Sequence, residues 1–328
     1  MSFRTLFRQA VAATLLATAA TVAFAFPDKP ECVAPAKPGG GFDLTCRLAQ
    51  SGLQDFKLVD APIRITYMPG GIGAVAFNTI VAQRPKDPNA FVAFSGGSLL
   101  NLAQGKFGKF NENDVRWVGT VGTDYGMIAV RDDSPYKSLK DVLAAMKAEP
   151  AKVVFGAGGT IGSQDWMKAA LTARAAGVDY KAFRYVAFEG GGEAFTALMG
   201  GHVQVIGGDA SEALQQLDGG AKVRVLAVFS EKRLPGKLAN VPTAKEQGYD
   251  IAWPTIRGFY VGPKVSDADY KQWVAMFDKL LANPSFAKLR DERGLFEFNK
   301  TGADLDAYVK QEVARYRKLS EEFGLMKK

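Results

Sequence analysis

The sequence predicts an α/β fold of two doubly wound lobes, joined by a two-segment hinge with a ligand cleft between them. Short apolar runs of strand length alternate with stretches of helical periodicity. That alternation passes through two cycles of similar length, and glycine-rich turns follow the strands of both. Those turns fall at the strand ends where open α/β sheets bind ligands.

The chain opens with Arg4 and Arg8, an apolar run over 10–24 and the small-x-small tripeptide Ala23-Phe24-Ala25. These mark residues 1–25 as a cleavable signal peptide, because the run falls short of the roughly 18–20 apolar residues of a spanning helix. The remainder has the length of two ordinary domains. We expect one lobe from 26–124 with 254–328, and the other from 125–253.

In the first lobe, strands are expected over 31–34, 63–67, 91–94 and 117–121. Helices lie between them: 43–56 carries Leu44, Leu48 and Leu53, and 73–82 carries Val75, Ile80 and Val81. Asp43 has the chemistry of an N-cap for the first of these. A strand over 127–130 follows, and then Ser138 with Asp141 opens a helix at nearly capping-box spacing. The second cycle has strands over 153–155, 184–188, 203–206 and 223–229, with helices over 165–176, 193–199 and 211–217. A proline-containing connection from Leu234 to Thr243 and an extended piece over 256–261 return the chain to the first lobe. Two amphipathic helices end it. One runs over 268–281 with Tyr270, Trp273, Val274, Phe277 and Leu281 on a face, and the other carries Leu305, Tyr308, Val309, Val313, Tyr316 and Phe323. Such alternation argues for parallel sheets with helices on both faces.

Lys and Arg outnumber Asp and Glu by 41 to 34, for a net charge of +7. The cations are spread along the chain, without the basic stripe and interleaved aromatics of a nucleic-acid binder, so the excess offers mild attraction for anions. His202, the one histidine, sits in a turn before a strand. A histidine relay therefore has a single candidate, and no His/Cys grouping has metal-ligand spacing. No metal or cofactor is expected. Cys32 falls on the first strand and Cys46 one turn into the next helix. A disulfide between them and a pair of buried thiols both suit those positions in an exported chain.

The glycine turns occupy 37–43, 69–73, 95–98 and 122–125 in the first lobe, and 156–163, 189–193 and 207–209 in the second. Glycine lets backbone approach a ligand closely, and a helix N-terminus presents unpaired N–H groups and partial positive charge. Facing sets of such ends would hold an anionic group at each end of a small molecule. The candidate ligand-binding residues are Lys37, Gly39, Gly40, Gly41, Phe42 and Asp43 in the first turn, Gly70 and Gly71 in the second, and Ser98 and Tyr125 after the third and fourth strands. The second lobe contributes Thr160, Ser163, Gly190, Gly191 and Asp209, and the return segment Arg257. Lys37 and Arg257 would neutralise charge, and the hydroxyls would donate. The run Gly71-Ile-Gly73-Ala-Val-Ala76 fits a loose dinucleotide pattern. Phe94 and Ser95 stand where that pattern needs an acid, so nicotinamide binding is not expected.

Several of these stretches together resemble the solute-binding proteins of tripartite tricarboxylate transporters, the Bug-type family. Pro35-Ala-Lys-Pro-Gly-Gly-Gly-Phe-Asp43 is similar to the family's first loop, and Pro69-Gly-Gly-Ile-Gly73 to its second. Glu189-Gly-Gly-Gly-Glu-Ala194 with Met199-Gly-Gly-His-Val203, and Leu226-Ala-Val with Val241-Pro-Thr-Ala-Lys-Glu-Gln-Gly248, resemble its later signatures. The order and spacing of the set cover nearly the whole mature chain. The resemblance implies a type II periplasmic binding fold and a monomer without enzymatic activity. It implies an organic di- or tricarboxylate ligand held by backbone N–H groups and water, and delivery to a membrane permease pair. Glu31-Cys-Val-Ala-Pro-Ala-Lys-Pro with Gly122-Thr-Asp-Tyr125 looks closest to the tricarboxylate branch, with citrate as ligand; another organic anion is the alternative. Ala36 stands where most relatives carry an aromatic, Tyr67 near a usual Asn, and Asp165 where many carry His.

Overall fold

The computed structural model describes residues 26–326, so the expected signal peptide lies outside the described residues. Strands and helices alternate through the first lobe as β1 (Glu31–Ala34), α1 (Gly41–Asp55), β2 (Arg64–Tyr67), α2 (Ala74–Ala82), β3 (Ala90–Ser95) and α3 (Gly96–Ala103). Strand β4 (Arg116–Arg131) crosses to the second lobe, which is built from α4 (Leu139–Ala148), β5 (Val154–Gly158), α5 (Gln164–Ala175), β6 (Arg184–Phe188), α6 (Gly191–Met199), β7 (Val205–Asp209), α7 (Ala210–Asp218) and β8 (Val223–Val228). Strand β9 (Pro254–Val261) returns, followed by α8 (Asp267–Leu281), α9 (Pro284–Glu292) and α10 (Gly302–Glu322). No described helix is long and apolar enough to cross a membrane.

The strands follow the order β2-β1-β3-β9-β4-β7-β5-β6, with β8 also on β4. Parallel pairs join β1 to β2 and β3, and β5 to β6 and β7. The ladders of β9 and of β4 are antiparallel. The sheets are therefore mixed, and the all-parallel expectation is corrected. Both segments that cross between lobes also serve as strands, and each runs against its neighbours. β4 is where the two lobes share a strand. Its residues up to Tyr125 pair with β9, and from Gly126 onward they pair with β7 and β8.

That continuity corrects a second expectation. The runs over 117–121 and 127–130 belong to one strand of 16 residues, and 122–125 form ladder pairs where a ligand turn was expected. Gly122, at φ 149°, and a register shift between Thr120 and Gly122 let the strand bend without ending. Residues 95–98, expected as a ligand-side glycine turn, instead open helix α3. A reciprocal capping box between Ser95 and Ser98 starts it despite the poor helix formers Gly96 and Gly97. Asp43 is not the cap of α1. Gly40 holds that position, and the Asp43 carboxylate accepts from Gly39 N–H at 2.9 Å and from Tyr67 Oη–H and Arg47.

Aromatic side chains fill both faces of the first sheet. Phe91, Phe259, Trp273 and Phe277 pack between the strands and α8, and Phe94, Trp117 and Tyr260 pack on the other side. Helix α10 buries Val309, Val313 and Tyr316, the stripe its periodicity announced. Beyond its end, Phe323 rests on Tyr180 and Trp166 of the second lobe. Cys32 and Cys46 are bonded, with Cα atoms 5.8 Å apart, which ties β1 to the second turn of α1 beside the cleft.

Candidate functional site

The cleft is made where the N-terminal ends of α1, α6 and α7 converge. Gly40, Gly190 and Asp209 are their N-cap residues. Across the cleft the two lobes meet backbone to backbone. A Cβ on Gly192 would lie 3.0 Å from the Pro38 carbonyl, and one on Gly40 would lie 3.4 Å from Gly191 N. Glycine at these positions is what lets the turns touch.

Behind that contact is an inner chamber lined by Ala36, Gly40, Gly41, Phe42, Ser95, Gln164, Asp165, Gly190, Gly191, Asp209, Glu212 and Arg257, with about 30 Å³ of free space. Ala36 and Asp165, both departures from the resembled family, line it. A buried charge network fills it. Arg257, 1% exposed, donates to Asp124 at 2.7 and 3.1 Å and to Asp209 at 2.8 Å. Lys168 donates to Asp165 at 2.7 Å and Asp209 at 2.6 Å. The Glu212 carboxylate reaches across the lobes to accept from Gly41 N–H at 2.6 Å. Burial, with Asp209 and Asp165 nearby, pushes Glu212 up to about 8. Burial acts on Asp209 in the same direction, but Lys168 and Arg257 outweigh it and hold that carboxyl below its usual range. Four acids, Asp124, Asp165, Asp209 and Glu212, thus face two cations, Arg257 and Lys168. Burial raises Asp124 and Asp165 as well as Glu212, so the acids outnumber the cations and protonation of the raised ones relieves the excess.

An outer cavity of about 450 Å³ adjoins it, sharing Ile72 and Glu189 as walls. The first lobe contributes Gly71, Ile72, Asn101 and Lys106, and the second lobe Gly159, Thr160, Ser163, Ala187, Phe188, Glu189 and Glu193. Its volume lies in the range of small-molecule sites. Lys106 Nζ donates to the Ile161 carbonyl at 2.8 Å, and burial lowers its pKa to about 8. No carboxylate among the described residues pairs with it. Asn101 Oδ1 is buried without a partner at the same wall.

Of the residues expected from sequence, Gly71, Thr160 and Ser163 line the outer cavity, and Gly40, Gly41, Phe42, Gly190, Gly191, Asp209 and Arg257 line the inner chamber. Others are placed differently. Lys37 pairs with Glu193 at 2.5 Å at the exposed rim, and Arg257 is committed to two aspartates, so neither is a free cation for a ligand. Ser98 accepts from Ser95 N–H within the α3 cap, and Ser163 caps α5. Tyr125 turns its ring onto Phe296 at 5.3 Å and lines neither space. Gly39 and Gly70 adopt positive φ, at 86° and 130°, and shape the turns behind the surface. The sequence reading missed Lys106, Asn101, Gln164, Lys168 and Glu212. Only Glu212 had a local signal, the Asp209-x-x-Glu212 spacing of a capping box, and that signal says nothing of a reach across the cleft.

The profile of the tripartite tricarboxylate transporter family receptor matches residues 57–325. The UPF0065 protein in the gbd 5′ region of Cupriavidus necator is 24% identical over 92% of this chain and 90% of its own length. Periplasmic binding protein BugD superposes with a TM-score of 0.81 at 22% identity, covering 92% of this chain and all (100%) of that one. MatC from Rhodopseudomonas palustris, solved with bound malate, superposes with a TM-score of 0.78 at 21% identity over 88% of this chain and 98% of that one. Another R. palustris protein, solved with adipate, has a TM-score of 0.77 at 19% identity, over 90% and 97%. These neighbours share the two-lobe periplasmic binding protein fold that the sequence predicts.

Proposed function

This chain belongs to the tripartite tricarboxylate transporter receptor family, and from that premise we propose that it captures a small organic carboxylate between its lobes for delivery to the membrane subunits of such a transporter. Citrate and compact di- or tricarboxylates like it are the leading ligands, and another organic anion is the alternative. Malate and adipate, bound by two structural neighbours, belong to the same chemical class.

The observation that carries the reading is the outer cavity. It is bounded by glycine turns of both lobes, and Lys106 enters it without a carboxylate partner. A carboxylate there gains a charge-assisted bond from a half-buried lysine, which is worth more than one in open water. Contacts to both lobes at once favour the closed form, as a ligand must to shift such an equilibrium. The hinge is proposed at Tyr125 to Gly126 and Trp253 to Pro254, where the ladder changes partners. Export by residues 1–25 would put the mature chain in the periplasm, and its role there is capture without chemistry.

Thermal unfolding tests this. The mature protein is unfolded and refolded to remove carried ligand, then melted with citrate, isocitrate, succinate, malate, adipate or phosphate. A ligand at a hundred times its Kd adds about 2.7 kcal/mol. At roughly 2–4 °C per kcal/mol, Tm rises by several degrees. A rise with carboxylates and none with phosphate supports the reading. If no acid raises Tm, the ligand class is wrong.

A further inference from the structure

The inner chamber holds the converging N-termini that would receive a ligand carboxylate, yet a carboxyl group of the protein already sits there. Glu212 is 4% exposed, and its Oε1 accepts from Gly41 N–H at 2.6 Å, on the opposite lobe. Its Oε2 accepts from Asp209 N–H at 3.3 Å. Glycines enclose it on three sides. A methyl group on Gly191 would collide with both carboxylate oxygens, one on Gly40 would lie 3.5 Å from Oε1, and one on Gly208 3.4 Å from Oε2. The chain has left room there for one carboxyl group and filled it.

What remains, about 30 Å³, holds roughly two water molecules and no carbon chain. Charge argues the same way. A second carboxylate would enter beside Asp209, which is held ionised, while Arg257 and Lys168 are already paired. Of the cations on the two spaces, Lys106 lacks such a partner, and it faces the outer cavity, where Glu189 and the Lys37-paired Glu193 also lie.

We propose that Glu212 is a specificity-determining residue, whose own carboxyl group occupies the inner anion position and so confines the ligand to the outer cavity. The inference rests on the carboxylate-capture reading for where the ligand lies, but the inner position is tested separately. Removal of the side chain exposes Gly41 N–H and a carboxyl-sized space between the glycines.

The probe is acetate, in thermal melts of the unaltered protein, Glu212→Ala and Glu212→Gln. Acetate at tens of millimolar should raise the Tm of Glu212→Ala by several degrees, with no matching rise for the unaltered protein or for Glu212→Gln, whose amide still fills the space. Glu212→Ser, which keeps a hydroxyl near Asp209 N–H, replaces the alanine variant if that does not fold. Equal acetate responses in all three proteins, or none in the emptied variant, overturn the proposal. A crystal structure of the unaltered protein with whichever acid raises its Tm gives a reading that needs no variant. Glu212 still on Gly41 N–H, with the acid in the outer cavity, supports the assignment. A ligand carboxylate on Gly41 N–H with Glu212 displaced refutes it. If no acid binds the unaltered protein but acetate stabilises Glu212→Ala, the capture reading fails and the assignment of the inner position stands.

Discussion

Replacing Arg257 with glutamine removes the cation that joins both crossing segments to the second lobe. The guanidinium makes three hydrogen bonds, to Asp124 on β4 and Asp209 at the end of β7, and all three residues are at most 2% exposed. Glutamine can replace one of these bonds and none of the charge. Breaking a buried ion pair from one side costs about 3–5 kcal/mol, mostly because a buried charge is left uncompensated. Here two buried carboxylates lose their shared partner and Lys168 is the one cation left beside them, so the upper half of that range applies. The melting temperature should fall by roughly 10 °C, at about 2–4 °C per kcal/mol. The loss should also depend on pH. Burial already pushes Asp124 up, and without Arg257 it takes up a proton more readily. The native variant then binds more protons than the native parent, so the destabilisation shrinks as pH falls from 7.5 toward 5. Urea unfolding followed by tryptophan fluorescence at both pH values measures it. Asp124→Asn added to Arg257→Gln should cost less than the two single changes summed, because it removes the stranded charge. A loss below about 1 kcal/mol at pH 7.5, or one equal at both pH values, would refute the role given to the network.

Glu212 predicts a second pH effect. Its carboxyl is raised to about 8 from an ordinary 4.5, so the native state holds a proton the unfolded chain releases. Its contribution is fully present below about 4.5 and is lost as pH rises through 8, with a slope approaching 1.4 kcal/mol per pH unit in that window. Glu212→Gln should flatten that part of a urea-derived stability profile. Lys106 loses charge as pH rises past about 8, the range in which Glu212 gains one, so carboxylate affinity should fall steeply above pH 8, as calorimetric titration would show. Reduction of the Cys32–Cys46 bond, which closes a loop of 14 residues, should cost about 3 kcal/mol, read as a lower Tm in dithiothreitol. Gly40→Val places branches against Gly191 and Glu212 and should prop the cleft open, abolishing binding while circular dichroism stays unchanged.

The fold was legible because periodicity is local. Two-fold alternation and the α10 stripe are visible within windows of a dozen residues, and glycines mark turns whatever lies beyond them. Reading β4 as two strands followed from the same locality. Gly122 signals a break to its neighbours, and only the partner strand β9 shows that the ladder continues. For the site, the backbone donors were legible and the charges were not. Lys168 lies in the middle of a helix, where lysine is ordinarily solvated, yet it is fully buried because Asp209, 41 residues away, lies above it. Lys106 follows a helix that its opening glycines concealed, and Glu212 reaches a partner 171 residues distant. Pairings at such separations are set by the closed cleft and leave no trace in spacing. Lys37 and Arg257, chosen as cations near turns, have acidic partners for the same reason.

The most direct test of carboxylate capture in the outer cavity is calorimetric titration of the acid that stabilises the protein most, run on the unaltered chain and on Lys106→Ala at pH 7. Loss of one charge-assisted contact in a closing cavity should weaken binding at least tenfold, about 1.4 kcal/mol. Equal affinity in the two proteins would contradict the account, because the ligand would then lie away from Lys106.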